Sequence, residues 1–346
     1  MTIFDLLDSA QIVAYWTELS QHEAPYPCEE LFPTNKKRGL DLKWLKGAKG
    51  LPIVLKTSAF DAAAIPRGRI GFEKLSAEMP YFKESMYIDE ELRQELNIVL
   101  ETGNRAYIES VMTRVFDDEV QLLRSARVSR ERMRMMALTT GVISMANNGQ
   151  AFTYDYGVPN NHKVTVQTSW SNHANSDPIK DINDGMELIF DETGVKPKRA
   201  MCDNTTWRHL RANEGIANDI YARRDRVGHI TDSMLKEYIA DMCDGLVIYV
   251  NAKKYKDESG TATQFMPADT FVLFPEGMLG NTWFGTTPAE SDLMTGAAAN
   301  VSITDTGVAV VTAKKIDPVQ VETIVSMICL PSFEEADKIY IIDTTA

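Results

Sequence analysis

Five arginines, Arg124, Arg127, Arg130, Arg132 and Arg134, fall within eleven residues, with Glu131 the one opposing charge among them. Planar guanidinium forks suit carboxylates and phosphates, which they bind in a bidentate way that lysine cannot copy. Three readings of this strip stand side by side. It is a solvated helix face, an interface where Arg124, Arg127, Arg130 and Arg134 meet acidic groups of a neighbouring subunit, or a phosphate-binding strip. The third is the weakest, because Asp117, Asp118 and Glu119 stand beside it and would repel a nucleic acid.

Other reactive residue types lack the spacing that chemistry needs. His162 and His173 stand in polar stretches, and His209 and His229 lie among arginines, so all four read as solvated side chains. Asp117-Asp118 and Glu90-Glu91 are adjacent, and adjacent carboxylates diverge on a helix, which makes them poor acid–base pairs. The turn Asp257-Glu258-Ser259-Gly260 has too few acidic ligands for a calcium loop. The sequence contains no phosphate-binding glycine loop, nucleophile elbow or H-E-x-x-H pair. Cys28, Cys202, Cys243 and Cys329 are scattered without a C-x-x-C pair and read as reduced thiols rather than disulfides or zinc ligands. No catalytic residue, metal or cofactor is expected, and an enzyme reading, a hydrolase with its site in an α/β segment, finds no support in spacing.

The elements that carry these residues have clearer signatures. The arginine strip belongs to a long helical spine within Asp89–Met145. Leu92, Leu96, Val99 and Leu100 mark a short first helix, and Gly103-Asn104 interrupts it. Then Ile108, Met112, Val115, Leu122, Ala126, Met133 and Met136 keep helical spacing as far as Gly141. A helix from Asn104 to Thr140 spans about 55 Å, more than the roughly 30 Å of an ordinary domain. Before the spine, residues 2–19 suit an amphipathic helix that docks on a neighbour or on its own domain. The proline-rich stretch 21–33 reads as extended. The segment LPIVLK at 51–56 and the return arm Ile70–Ile88 read as a long hairpin with a turn at Pro66-Arg67-Gly68.

After the spine, 163–168 reads as an exposed strand and Asp177-Pro178 as a helix start closed by Gly194. Lys198–Cys202 and Leu246–Val250 read as buried strands, with helices capped at Asn204 and at Thr231 or Asp232 between them. This alternation describes a mixed α/β layer domain. The strands from Gly307 onward are expected to return to the spine, leaving the α/β domain as an insertion. The chain has 346 residues, 44% hydrophobic, and a formal net charge of −13, which is not the profile of a nucleic-acid reader. It has no run of 18 apolar residues and no basic leader, so neither a membrane span nor a secretory signal is expected.

Three stretches in this order resemble a known family. They are SAFDAAAIPRGR followed by MPYFKESMYIDEEL, then SDPIKDI, then QFMPADTFVLFPEGMLGNTWFG. They are similar to the arginine-bearing loop, the D-P-x-x-D-I helix start and the F-x-P-D-x-x-V-L segment of phage major capsid protein family E. That family is the lambda-type branch of the Hong Kong 97-type capsid fold. The resemblance implies an α+β capsid fold with an N-terminal arm (1–47), an extended hairpin loop (48–90), a peripheral domain with the spine (91–167 and 306–346) and an axial domain (168–305). It implies a structural protein, not an enzyme, that assembles into pentamers and hexamers of an icosahedral head around double-stranded DNA. Phe60, Arg67, Arg69 and Glu73 of the loop would contact the next subunit. A separate scaffold or protease, a portal and a decoration protein are the implied partners, and the virion is the implied location. A cargo-holding compartment shell is the alternative. Nothing identifies an asparagine partner for Lys56 or Lys74, so no crosslink is expected.

Overall fold

A computed structural model describes residues 8–46, 73–88, 105–147, 150–223, 229–293, 299–315 and 320–346, together with Glu90, Gln94 and Ile98. The strand expected over 51–56, the turn at Pro66 and Leu92, Leu96, Val99 and Leu100 of the expected short helix lie outside the described residues. The chain divides into two compact units. One comprises Met1–Leu42, Ser76–Met133 and Asn281–Ser332; the other comprises Lys43–Leu75, Arg134–Gly280 and Phe333–Ala346.

The spine is a single helix, Arg105–Thr140, of 36 residues. At ~1.5 Å per residue it runs about 54 Å, as its uninterrupted apolar stripe requires, and it ends where Gly141 adopts φ +72°. Val115, Leu122, Ala126 and Met133 of the stripe are buried.

In the first unit, a sheet runs in the order Thr34–Lys36, Gly280–Phe284, Gln320–Phe333, Val308–Lys315, Asn300–Thr304, and Tyr81–Ile88 also pairs with Gln320–Phe333. The long strand Gln320–Phe333 is the hub. It runs antiparallel to Val308–Lys315 through Val308↔Met327 and to Tyr81–Ile88 through Val321↔Ile88. The N-terminal helix, Ser9–His22, packs on Asn300–Thr304 of its own chain. Its Ile12 and Trp16 are fully buried, and the Trp16 Nε1–H donates to Asp305 at 3.2 Å. The stretch read as extended contains a short helix, Pro27–Leu31. Proline is tolerated there because the first helical N–H needs no intrahelical acceptor. Gly285, at the end of the Trp-Phe-Gly segment, lies so close to Gly39 that an added Cβ would sit 2.9 Å from its carbonyl oxygen and 2.8 Å from Ile328.

The second unit holds a five-stranded mixed sheet in the order Lys163–Thr165, Tyr340–Asp343, Thr270–Phe274, Arg199–Cys202, Val247–Val250. Helix Pro178–Thr193 starts as its sequence predicts, with the Asp177 carboxylate accepting from the Lys180 N–H and Gly194 in the left-handed region. The next helix, Asn204–Ala212, is capped by Asp203 rather than Asn204; its carboxylate accepts from the Thr205 and Thr206 N–H groups. Thr231 caps Asp232–Met242. Ile182, Met186, Ile189, Trp207, Leu210, Leu235, Ile239, Phe271, Leu273 and Ile342 form one core cluster.

Two boundaries differ from expectation. The last strand, Tyr340–Asp343, lies inside the α/β sheet, antiparallel to Thr270–Phe274 and parallel to Lys163–Thr165, instead of returning to the spine. Gly280–Phe284 and Asn300–Thr304, expected in the axial segment, pair with strands of the first unit's sheet. Such partners are distant in sequence, and no local pattern encodes them. Val247–Val250 is also an edge strand rather than a buried one. Ile248 faces the core, while Val247 and Tyr249 are 64% and 45% exposed.

Candidate assembly interface

The arginine strip meets carboxylates, as guanidinium forks should, but they belong to the same chain. Arg127 donates from Nε and Nη2 to both oxygens of Glu29, at 2.7 and 2.8 Å, and from Nη1 to Glu23 at 3.2 Å. Its guanidinium also stacks over the Tyr26 ring, 5.3 Å from the centroid. The hydrogen bond to Glu29 raises the Arg127 pKa above its ordinary value. Arg124 donates from Nε to Glu23 at 2.8 Å, and Arg130 donates from Nη2 to Asp305 at 2.7 Å. The segment between the N-terminal helix and Leu31 is thus riveted to the spine by charge as well as by burial. Cys28 adds a backbone N–H donated to the buried Glu131 carboxylate at 3.0 Å.

This replaces the expectation that Arg124, Arg127 and Arg130 reach a neighbour. Within the chain Glu23 and Glu29 fill the Arg127 fork, Glu23 also holds Arg124 through Nε, Asp305 holds Arg130 through Nη2, and Arg134 is only 2% exposed. Local charge pattern does not reveal these partners, because they lie about 100 residues upstream and 175 downstream. Phe60, Arg67 and Arg69 lie outside the described residues. Glu73 begins the strand Glu73–Glu78, which pairs with Asp41–Lys46, so the hairpin's partner arm lies nearer the N-terminus than 51–56.

Three other side chains differ from their sequence reading. Glu119 is 3% exposed. Desolvation raises its carboxyl to about pKa 7, opposed by a hydrogen bond from Thr323. The missed signal was its place on the spine's stripe between Val115 and Leu122. His162 is fully buried, with Nε2 2.8 Å from Glu192. His173 is half-buried, with Nε2 3.1 Å from His209 Nδ1. All four cysteines are buried thiols outside any disulfide, and burial pushes the Cys243 thiol up to about 12. No described helix is long and apolar enough to cross a membrane.

The fold has known counterparts. A prophage protein of Escherichia coli CFT073 described as a capsid protein superposes with a TM-score of 0.62 at 15% identity, covering 98% of this chain and 99% of that one. A phage-related protein of Bordetella bronchiseptica RB50 superposes with a TM-score of 0.56 at 14% identity, covering 98% and 97%. The capsid of cyanophage A-1(L) superposes with a TM-score of 0.50 at 14% identity, covering 91% of each chain. No curated protein matches significantly in sequence. These superpositions give the α+β, Hong Kong 97-type capsid fold. The family model of phage major capsid protein E matches residues 45–344, and the chain therefore belongs to the phage major capsid protein E family, whose members are structural shell proteins of the virion head.

Proposed function

We propose that this shell protein assembles into pentamers and hexamers that close an icosahedral head around double-stranded DNA. The observation that carries the reading is the family match, which runs unbroken from residue 45 to 344 and so includes the loop as well as both units. Heterologous contacts that close by rotation generate rings, and ring-to-ring contacts generate a closed shell. A net charge of −13 keeps the free subunit soluble and the shell weakly attractive to packaged DNA.

Within this reading, Phe60, Arg67, Arg69 and Glu73 belong to the loop that lies across the next subunit. A separate scaffold or protease, a portal and a decoration protein are the partners the family suggests. With Arg124, Arg127, Arg130 and Arg134 engaged or buried, the loop arginines are the basic groups assigned to assembly. The test is sedimentation and negative-stain microscopy of the purified chain beside an R67E/R69E variant. Wild type should form rings or shells. The variant should keep its circular dichroism but lose most of its assembly yield. A wild type that stays monomeric at high concentration and across salt sinks the proposal, and a variant that unfolds sinks the assignment of the loop.

A further inference from the structure

We propose that the turn Asp305-Thr306 is a strained latch, which keeps the N-terminal helix Ser9–His22 docked only while the spine presents Arg130 to it. The turn joins Asn300–Thr304 to Val308–Lys315, and the last pair across this hairpin is Thr304↔Val308. Asp305 and Thr306 take φ +46° and +74°, in the left-handed region. Aspartate tolerates that region, but threonine, branched at Cβ, is an outlier there. Glycine would relieve the strain, and one stands next door. Gly307 is committed to packing instead, because a Cβ on it would lie 2.6 Å from the Phe284 side chain. The strain therefore falls on Thr306.

The Asp305 carboxylate holds the turn in place. Its Oδ1 accepts from the Trp16 Nε1–H at 3.2 Å, and its Oδ2 accepts from Arg130 Nη2 at 2.7 Å. One donor belongs to the N-terminal helix and the other to the spine, and both side chains are buried. Arg130 also covers the Phe284 ring, 5.5 Å from its centroid, on the ring that Gly307 abuts. The Thr306 hydroxyl adds an exposed contact with the Thr34 hydroxyl at 3.2 Å.

The strain of one residue held in this region is of the same order as one hydrogen bond to a charged group. Two such bonds outweigh it; one only balances it. When Arg130 withdraws, Thr306 relaxes toward negative φ and the Asp305 carboxylate swings away from Trp16. A buried indole N–H left without an acceptor is costly, so the helix Ser9–His22 loosens as well. Docking of the helix thus depends on the position of the spine, through a turn that belongs to neither.

The test is amide hydrogen exchange of the full-length chain, at a concentration where sedimentation shows monomers, read over Ser9–His22. Arg130→Met should raise exchange across this helix by roughly tenfold or more. Adding Thr306→Gly to Arg130→Met should bring it back to within about threefold of wild type, because glycine holds positive φ without steric cost and Asp305 then keeps Trp16. Thr306→Gly alone should leave the helix protected. If Arg130→Met does not fold, Asp305→Asn takes its place. Its amide keeps an oxygen for Trp16 and tolerates the left-handed region but gives up the charge that Arg130 meets. A helix whose exchange is unchanged when Arg130 loses its carboxylate overturns the proposal. So does a loosened helix that Thr306→Gly fails to restore.

Discussion

Glu119→Gln is expected to stabilise the subunit at pH 8 and to do little at pH 4.5. The Glu119 carboxyl is 3% exposed, one of its oxygens is buried without a partner, and Thr323 bonds it. Burial opposes the charged form, and the carboxyl titrates at about 7 instead of its ordinary 4.5. Because the folded-state value is the higher one, the native state holds this proton more tightly than the unfolded chain. The stability this contributes is fully present below pH 4.5 and is lost as pH rises through 7. At about 1.4 kcal/mol per pH unit, that loss is on the order of 3 kcal/mol. Glutamine has nearly the same shape and cannot ionise, so it escapes the loss. Its amide carries two N–H donors where the protonated carboxyl carries one O–H, so the difference between the two pH values is the diagnostic quantity. The assay is urea unfolding of wild type and variant from pH 4.5 to 8, at a concentration where sedimentation shows monomers. The gap between their unfolding free energies should open by about 3 kcal/mol. Thr323→Val, which removes the one bond favouring the ionised form, should move the wild-type inflection to higher pH. Parallel pH profiles for wild type and Glu119→Gln would refute the reasoning.

Two further outcomes follow from local geometry. Arg127→Ala removes a bidentate pair and leaves Glu29 facing Glu23, so it should cost about 2 kcal/mol in urea unfolding and hasten proteolysis between residues 23 and 34. The wild-type advantage should shrink in high salt. Gly285→Ala places a methyl 2.9 Å from the Gly39 carbonyl oxygen, and backbone that close must shift. A loss of about 1–3 kcal/mol is expected, read as a lower melting temperature.

What the sequence made legible was local. The spine could be read because one stripe with no proline or glycine admits one element, and Asp177-Pro178 because its cap and first turn are encoded within four residues. The run Leu246–Val250 misled because five apolar residues look the same in a central strand and at an edge; only the neighbours decide. His173 and His209 carry no spacing signal, since 36 residues and two elements separate them. The acids that hold Arg127 and Arg130 were invisible for the same reason. Glu119 was the readable exception, a charge where the stripe calls for an apolar side chain. The order of the three family stretches supplied the architecture that local patterns could not.

The placement of Tyr340–Asp343 between Lys163–Thr165 and Thr270–Phe274 has a consequence for biosynthesis. The strand Lys163–Thr165 has no hydrogen-bonded neighbour in its sheet until residues about 180 positions later have been made. At typical translation rates, that interval lasts roughly 10–40 s. Once Thr270–Phe274 has been made, the edge that Tyr340–Asp343 occupies in the finished sheet stays open until roughly 66 further residues have followed.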